Sequence, residues 1–146
     1  MSAPHRLSEG LYLEKSGVLL PWFQSLHQIT KLGGKPLPKK GKVTQLFWAS
    51  ESVLGGLEVD IQAMSYGSGI FNLTHKGETS FKSAQYEYES NLAELKRRFG
   101  EPHESGAEGS YPWVRWRWGD VCLSLVIGER FVDYVAMSVS KEIVKQ

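Results

Sequence analysis

The sequence predicts an α+β fold: two tandem helix-plus-three-strand repeats, about residues 18–76 and 83–141, making an antiparallel sheet with helices packed on one face. Three observations lead there. First, Leu26, Ile29, Gly34 and Pro36 recur at one constant offset as Leu92, Leu95, Gly100 and Pro102. Second, each Gly-x-Pro is followed by a polar spacer and then a tryptophan-bearing strand. Third, Gly56-Leu57-Glu58-Val59-Asp60-Ile61 is answered by Asp120-Val121-Cys122-Leu123-Ser124-Leu125, so each half passes from helical spacing to strict alternation.

The elements follow in order. Leu11-Tyr12-Leu13 and Val18-Leu19-Leu20 flank Ser16-Gly17, which reads as an N-terminal hairpin or a strand with a bend. Ser25 is placed to cap a helix over Leu26–Leu32, and Gly33-Gly34 ends it. Lys35–Lys42, with Pro36, Pro38 and Gly41, reads as a loop. Strands are expected at Val43–Ala49, Leu57–Met64 and Ile70–His75. In the second half, Ala84, Tyr88, Leu92, Leu95 and Phe99 form the apolar stripe of a helix over Ser83–Phe99, with Lys96, Arg97 and Arg98 at its C-terminal end. Gly100 and Pro102 stop it. Residues 103–110 read as a second loop, and Trp113–Trp118, Val121–Ile127 and Phe131–Ser140 as three strands.

With 146 residues, the chain is expected to form a single domain over 1–146. Seventeen basic against sixteen acidic residues leave a net charge of +1, too balanced for a nucleic-acid binder, and Lys39-Lys40 with Lys42 reads as a short solvated loop. The lone Cys122 excludes an internal disulfide. No apolar run is long enough to span a membrane, and Met1–Arg6 has no signal-peptide stretch, so a cytoplasmic location is expected.

Strand alternation separates a core face from an open one. Leu57, Val59, Ile61 and Ala63, together with Val121, Leu123, Leu125 and Ile127, are the inner sets. Val114, Trp116 and Trp118 join them, because burying Arg115 and Arg117 instead would be costly. Trp113, Arg115 and Arg117 therefore fall on the open face, with Glu58 and Asp60 on the matching face of the first half. Trp and Arg are enriched at binding hot spots, and a face of mixed charge suits a protein better than a polyanion.

Catalytic and metal chemistry find little support. His5, His27, His75 and His103 are scattered, with no Cys or carboxylate at ligand spacing, so neither metal nor cofactor is expected. Cys122 reads as a small, partly buried thiol, and Glu129-Arg130 as a turn. Gly55-Gly56 and Gly67-Ser68-Gly69 do not precede helices as phosphate loops must.

Leu32-Gly33-Gly34-Lys35-Pro36 with Trp48, and Phe99-Gly100-Glu101-Pro102 with Trp113–Trp118, resemble the repeat of the β-lactamase inhibitory protein and of related small outer-membrane assembly lipoproteins. Unlike that family, this chain has no paired cysteines and one helix per half. The layout is also similar to small bacterial toxin-immunity proteins. The resemblance implies a curved sheet that grips another protein.

The expectation is thus a non-enzymatic, cytoplasmic protein-binding protein of the immunity type, occluding a toxin or enzyme with its open sheet face. Two alternatives stand beside it. One is a small-ligand binder or unrecognised enzyme with a cavity lined by Trp22, Phe47, Trp48 and Tyr88. The other is a homodimer joined through the aromatic face.

Overall fold

The computed structural model describes residue 4 and residues 6–39, 42–64, 69–75, 83–109, 111–130 and 132–142. Expectations resting on His5, Lys40 and Gly67-Ser68 lie outside these residues. The chain starts with a hairpin, β1 (Gly10–Leu13) and β2 (Val18–Pro21). Helix α1 (Leu26–Ile29) continues as a 3₁₀ turn (Thr30–Leu32) and leads to β3 (Lys35–Lys39), β4 (Lys42–Val53), β5 (Leu57–Met64) and β6 (Ile70–His75). Helix α2 (Ala84–Phe99) leads to β7 (Glu104–Glu108), β8 (Tyr111–Trp118), β9 (Val121–Arg130) and β10 (Val132–Lys141).

This overturns the expected pair of helix-plus-three-strand repeats. The chain is mostly sheet, with ten strands among the described residues: the hairpin, and one eight-stranded antiparallel sheet ordered β3-β4-β5-β6-β10-β9-β8-β7. Four strands follow each helical segment, and the helices are unequal, four residues against sixteen. The miscount has a physical cause. Both stretches read as loops, 35–42 and 103–110, contain the sheet's outermost strands. Proline lacks an N–H, yet an edge strand has one side without a neighbour, so β3 tolerates Pro36 and Pro38. A bulge between Leu37 and Pro38 adjusts the pairing there. Glu129 and Arg130, expected in a turn, are instead the last residues of β9.

Local chemistry starts and stops the helices as expected. Ser25 and Gln28 form a capping box: the Gln28 backbone N–H donates to Ser25 Oγ at 3.2 Å, and the Ser25 N–H to Gln28 Oε1 at 2.9 Å. Gly33, at φ 91°, ends the 3₁₀ turn. Ser83 Oγ accepts from the Tyr86 N–H at 3.2 Å and caps α2, whose buried stripe is Tyr88, Asn91, Leu95 and Phe99.

One side of the sheet carries the core. Cross-strand pairing lines up Val114, Leu125, Met137, Leu73, Ile61 and Trp48 in a single row over six strands, and none is more than 7% exposed. Helix α2 packs over β9 and β10, α1 against β4, and β1 against β4. Leu11, Leu13 and Leu20 of the hairpin belong to the same core. The inner sets read from strand alternation are all buried, apart from Trp118, which lies half-buried against Phe99 with ring centroids 5.3 Å apart.

Two tryptophans tie strands to helix ends. Trp48 Nε1–H donates to the Leu32 carbonyl at 3.2 Å, and Trp116 Nε1–H to the Gly100 carbonyl at 3.0 Å. Each satisfies a carbonyl that the end of a helix leaves without a partner. Gly34 makes room for the first of them: a Cβ there would lie 2.6 Å from Trp48 Cζ2.

Trp116→Phe removes one of these donors and should cost about 1–3 kcal/mol of stability. Gly34→Ala should cost a similar amount, about 1–3 kcal/mol, by overpacking against Trp48. Both are expected to lower the urea midpoint without changing the slope of the unfolding curve. An unchanged midpoint for either contradicts the anchoring role.

Candidate partner-binding face

Among the described residues the helices pack on the core side, and the hairpin reaches the opposite side only at the β4–β5 end, where Lys15 pairs with Glu58 at 2.7 Å and Glu14 Oε1 accepts from Ser52 Oγ at 2.8 Å. The central register row of that opposite side runs Arg115, Ser124, Ser138, Asn72, Gln62 and Phe47. The middle of the face is thus built from small, hydrogen-bonding side chains, with large residues towards the two ends.

The β8 end holds the bulkiest group. Trp113, Arg115 and Arg117 all project onto this face, since Val114 and Trp116 between them are buried. Gly106 on β7 pairs with Trp113, and the indole lies flat against it: a Cβ at 106 would sit 2.5 Å from Trp113 Cζ2. The Arg115 guanidinium stacks over the same indole, 4.7 Å from the ring centroid. Tyr111, Trp113, Arg115, Val126 and Tyr134 line a groove of about 540 Å³. Tyr134 is 43% exposed and crosses Gly128 on β9.

The charges at this end are organised around Glu104. Its carboxylate accepts a short hydrogen bond from Arg117 Nε and lies 3.9 Å from Arg115 Nη1. Arg117 also pairs with Glu142 at 2.8 Å, and its backbone N–H donates to His103 Nδ1 at 2.7 Å. Hydrogen bonding to Arg117, more than any other cause, holds the Glu104 carboxyl below the usual carboxylate range. The same bond, followed by that to Glu142, raises the Arg117 guanidinium above its ordinary value. Two carboxylates therefore hold Arg117 in place, while Arg115 keeps a longer, looser contact with its acid.

The acids expected to share this surface lie elsewhere on it. Glu58 and Asp60 are on the same face of β5, but β9, β10 and β6 intervene, a separation of roughly 19 Å at normal strand spacing. Glu58 pairs with Lys15 at 2.7 Å, and Asp60 Oδ1 accepts from the Ser50 N–H at 2.8 Å, closing the bulge in β4. Cys122 is buried beside Arg117, its Sγ 3.5 Å from Ser124 Oγ.

Sequence reasoning missed three contributors: Tyr111, Tyr134 and Glu104. Tyr111 shares the alternation phase of Trp113 and was there to be read. Tyr134 is out of phase with Met137 and Val139, which makes it open-facing by the same rule. Glu104 sat in a stretch taken for a loop.

Among the described residues, no group of three or more His, Cys, Asp or Glu side chains is placed to hold a metal ion. No helix among the described residues is long and apolar enough to cross a membrane. What the β8 end can do chemically is offer flat aromatic surface and guanidinium N–H groups to a carboxylate with an apolar neighbour.

Because the Glu104 pKa is depressed in the folded protein, its stabilising effect is present above the ordinary carboxylate pKa. It is lost as pH falls through the depressed value. Glu104→Gln should lower Tm at neutral pH, and the gap from the parent should shrink on acidification. A pH series of thermal melts reads this directly, and parallel curves contradict it. No protein-family model, no curated protein and no solved structure matches this chain.

Proposed function

We propose that this chain is a non-enzymatic binding protein that docks another protein on the open face of its eight-stranded sheet. The observation that supports this most is the aromatic groove on the open face in which Arg115 stacks on Trp113 beside Tyr111 and Tyr134. Rigid aromatic surface next to an arginine is the composition of interface hot spots. Glycines at 106 and 128 let the rings lie close to the sheet, so little side-chain freedom is lost on binding.

The partner that fits is a protein segment with an acidic side chain next to an apolar or aromatic one. The apolar group enters the groove and the carboxylate meets Arg115. The serines and amides of the central row then hydrogen-bond whatever lies across the sheet. In its more specific form the function is that of an immunity-type inhibitor inside the cell, blocking a toxin or enzyme by covering its working surface. Glu58 and Asp60 would contact the far margin of such a partner.

The test is a titration against the partner, recovered by affinity capture from the native cell, identified and purified. Trp113→Ala should weaken the complex by about 2 kcal/mol or more, and Arg115→Ala by a smaller amount. Tyr86→Ala, on α2 across the molecule, is the control and should leave affinity unchanged. Full affinity in both Trp113→Ala and Arg115→Ala would remove the assignment. Sedimentation of the purified chain tests the homodimer: a dimer dispersed by Trp113→Ala makes the partner a second copy.

A further inference from the structure

A second cavity lies away from the aromatic groove, at the other end of the sheet. It has a volume of about 840 Å³ and forms where three elements meet: the β1–β2 turn, the end of the 3₁₀ turn, and the bulged part of β4. Val18, Leu32, Phe47 and Trp48 give it a mainly apolar wall. It is not the cavity expected from sequence, since Trp22 and Tyr88 belong to the packed core.

The polar groups in this wall are few and specific. Glu51 is only 6% exposed, an uncommon state for a carboxylate. One of its oxygens, Oε2, accepts a short hydrogen bond from Ser16 Oγ. The other, Oε1, is buried and has no hydrogen-bond partner among the described residues. Its nearest ladder partner is Val59, which offers no side-chain donor. A buried carboxylate with one oxygen unmet is costly to maintain, and turning that oxygen into the cavity to meet a donor would relieve the cost. Lys31 and Lys35 also line the cavity, and both are solvent-exposed.

The bulge explains how Glu51 comes to be there. Leu46 and Trp48 point inward, and a simple alternation would send Ser50 and Ser52 inward next. The register shift between Trp48 and Glu51 reverses the phase, so Glu51 and Val53 face inward instead. Ser50, at φ 55°, takes the backbone strain of that shift.

We propose that this cavity binds a small zwitterion with an apolar body, of the apolar α-amino-acid or short-peptide class. Its ammonium meets Glu51, its apolar body lies against Phe47 and Trp48, and its carboxylate meets Lys31 and Lys35. An ammonium alone would not use the two lysines, and a carboxylate alone would not use Glu51. The volume lies within the range of ordinary small-ligand sites. The site shares Phe47 with the far end of the open face but none of the residues of the aromatic groove at the β8 end, so Trp113→Ala tests that groove without touching this cavity.

The probes are L-phenylalanine and phenylalanyl-phenylalanine, with phenethylamine lacking the carboxylate and 3-phenylpropanoate lacking the ammonium. Binding is read by calorimetry and by the thermal melt of the full chain. At least one zwitterion should bind and raise Tm, the free amino acid and the dipeptide being told apart by which does so. 3-Phenylpropanoate should bind at least tenfold more weakly. Glu51→Gln, which keeps the shape and the Ser16 contact, should weaken the zwitterion at least tenfold and leave 3-phenylpropanoate unchanged. Lys31→Glu with Lys35→Glu should weaken the zwitterion but not phenethylamine. Ala49→Leu fills the cavity from an exposed position and should abolish binding without lowering the unliganded Tm. Failure of both zwitterions to bind the parent protein, or undiminished binding in Glu51→Gln, overturns the proposal.

Discussion

Everything in this molecule hangs on the seam between β6 and β10. Among the described residues four ladder pairs make it, from Met137 with Leu73 to Ser140 with Ile70, and the Lys141 N–H extends it by donating to the Gly69 carbonyl at 2.9 Å. Without it there would be two four-stranded ribbons, each too narrow to bury both helices and the hairpin. With it, Met137 and Leu73 become neighbours in an apolar row that continues over six strands. The next residues along, Ser138 and Asn72, become neighbours in a polar row on the other side. A two-residue period means that one pairing fixes both surfaces at once. The dry face and the open face are thus two consequences of the same register.

The division of labour between aromatic residues follows from which side they fall on. Trp48 and Trp116 face inward and spend their indole N–H groups on helix-end carbonyls. Trp113 faces outward, and its ring is held between a glycine and an arginine. The inward pair fixes where the helical segments end relative to the strands. The outward one ties down no helix end, and its ring lies half-buried on the open face. Charge is divided in a similar way. Arg117, Lys15, Glu58 and Asp60 are engaged in holding strands, turns and the bulge together. Arg115 has the weakest internal commitment of the groups first singled out.

Much of the core was legible in the amino-acid pattern because each inner strand is a simple alternation. Leu57-x-Val59-x-Ile61 and Val121-x-Leu123-x-Leu125 could be assigned to a face without coordinates, and the structure buries them. The helices were legible through Ser25, Ser83 and the glycines that close them. The edge strands were not. Pro36, Pro38, Ser105 and Gly106 are loop-forming residues by local preference, and only the neighbouring strand makes them extended. Glu51 was hidden for a different reason: its inward position depends on the extra residue in β4, and a bulge has no reliable mark in the sequence. Its one signal is that Val53, two residues on, shares its phase. The separation of Glu58 and Asp60 from Trp113 was likewise out of reach, because strand order across the seam is a long-range property.

The prolines of β3 have a consequence that extends beyond this one molecule. An open sheet has two rims, and a rim with free N–H and carbonyl groups can act as a template for another chain. At 36 and 38 that template is interrupted, because neither proline has a proton to give. An incoming strand would meet an interrupted row of donors, and growth by strand addition would stall at that side. Whatever the open face does, the sheet is thereby poorly suited to lengthen by adding strands at this margin.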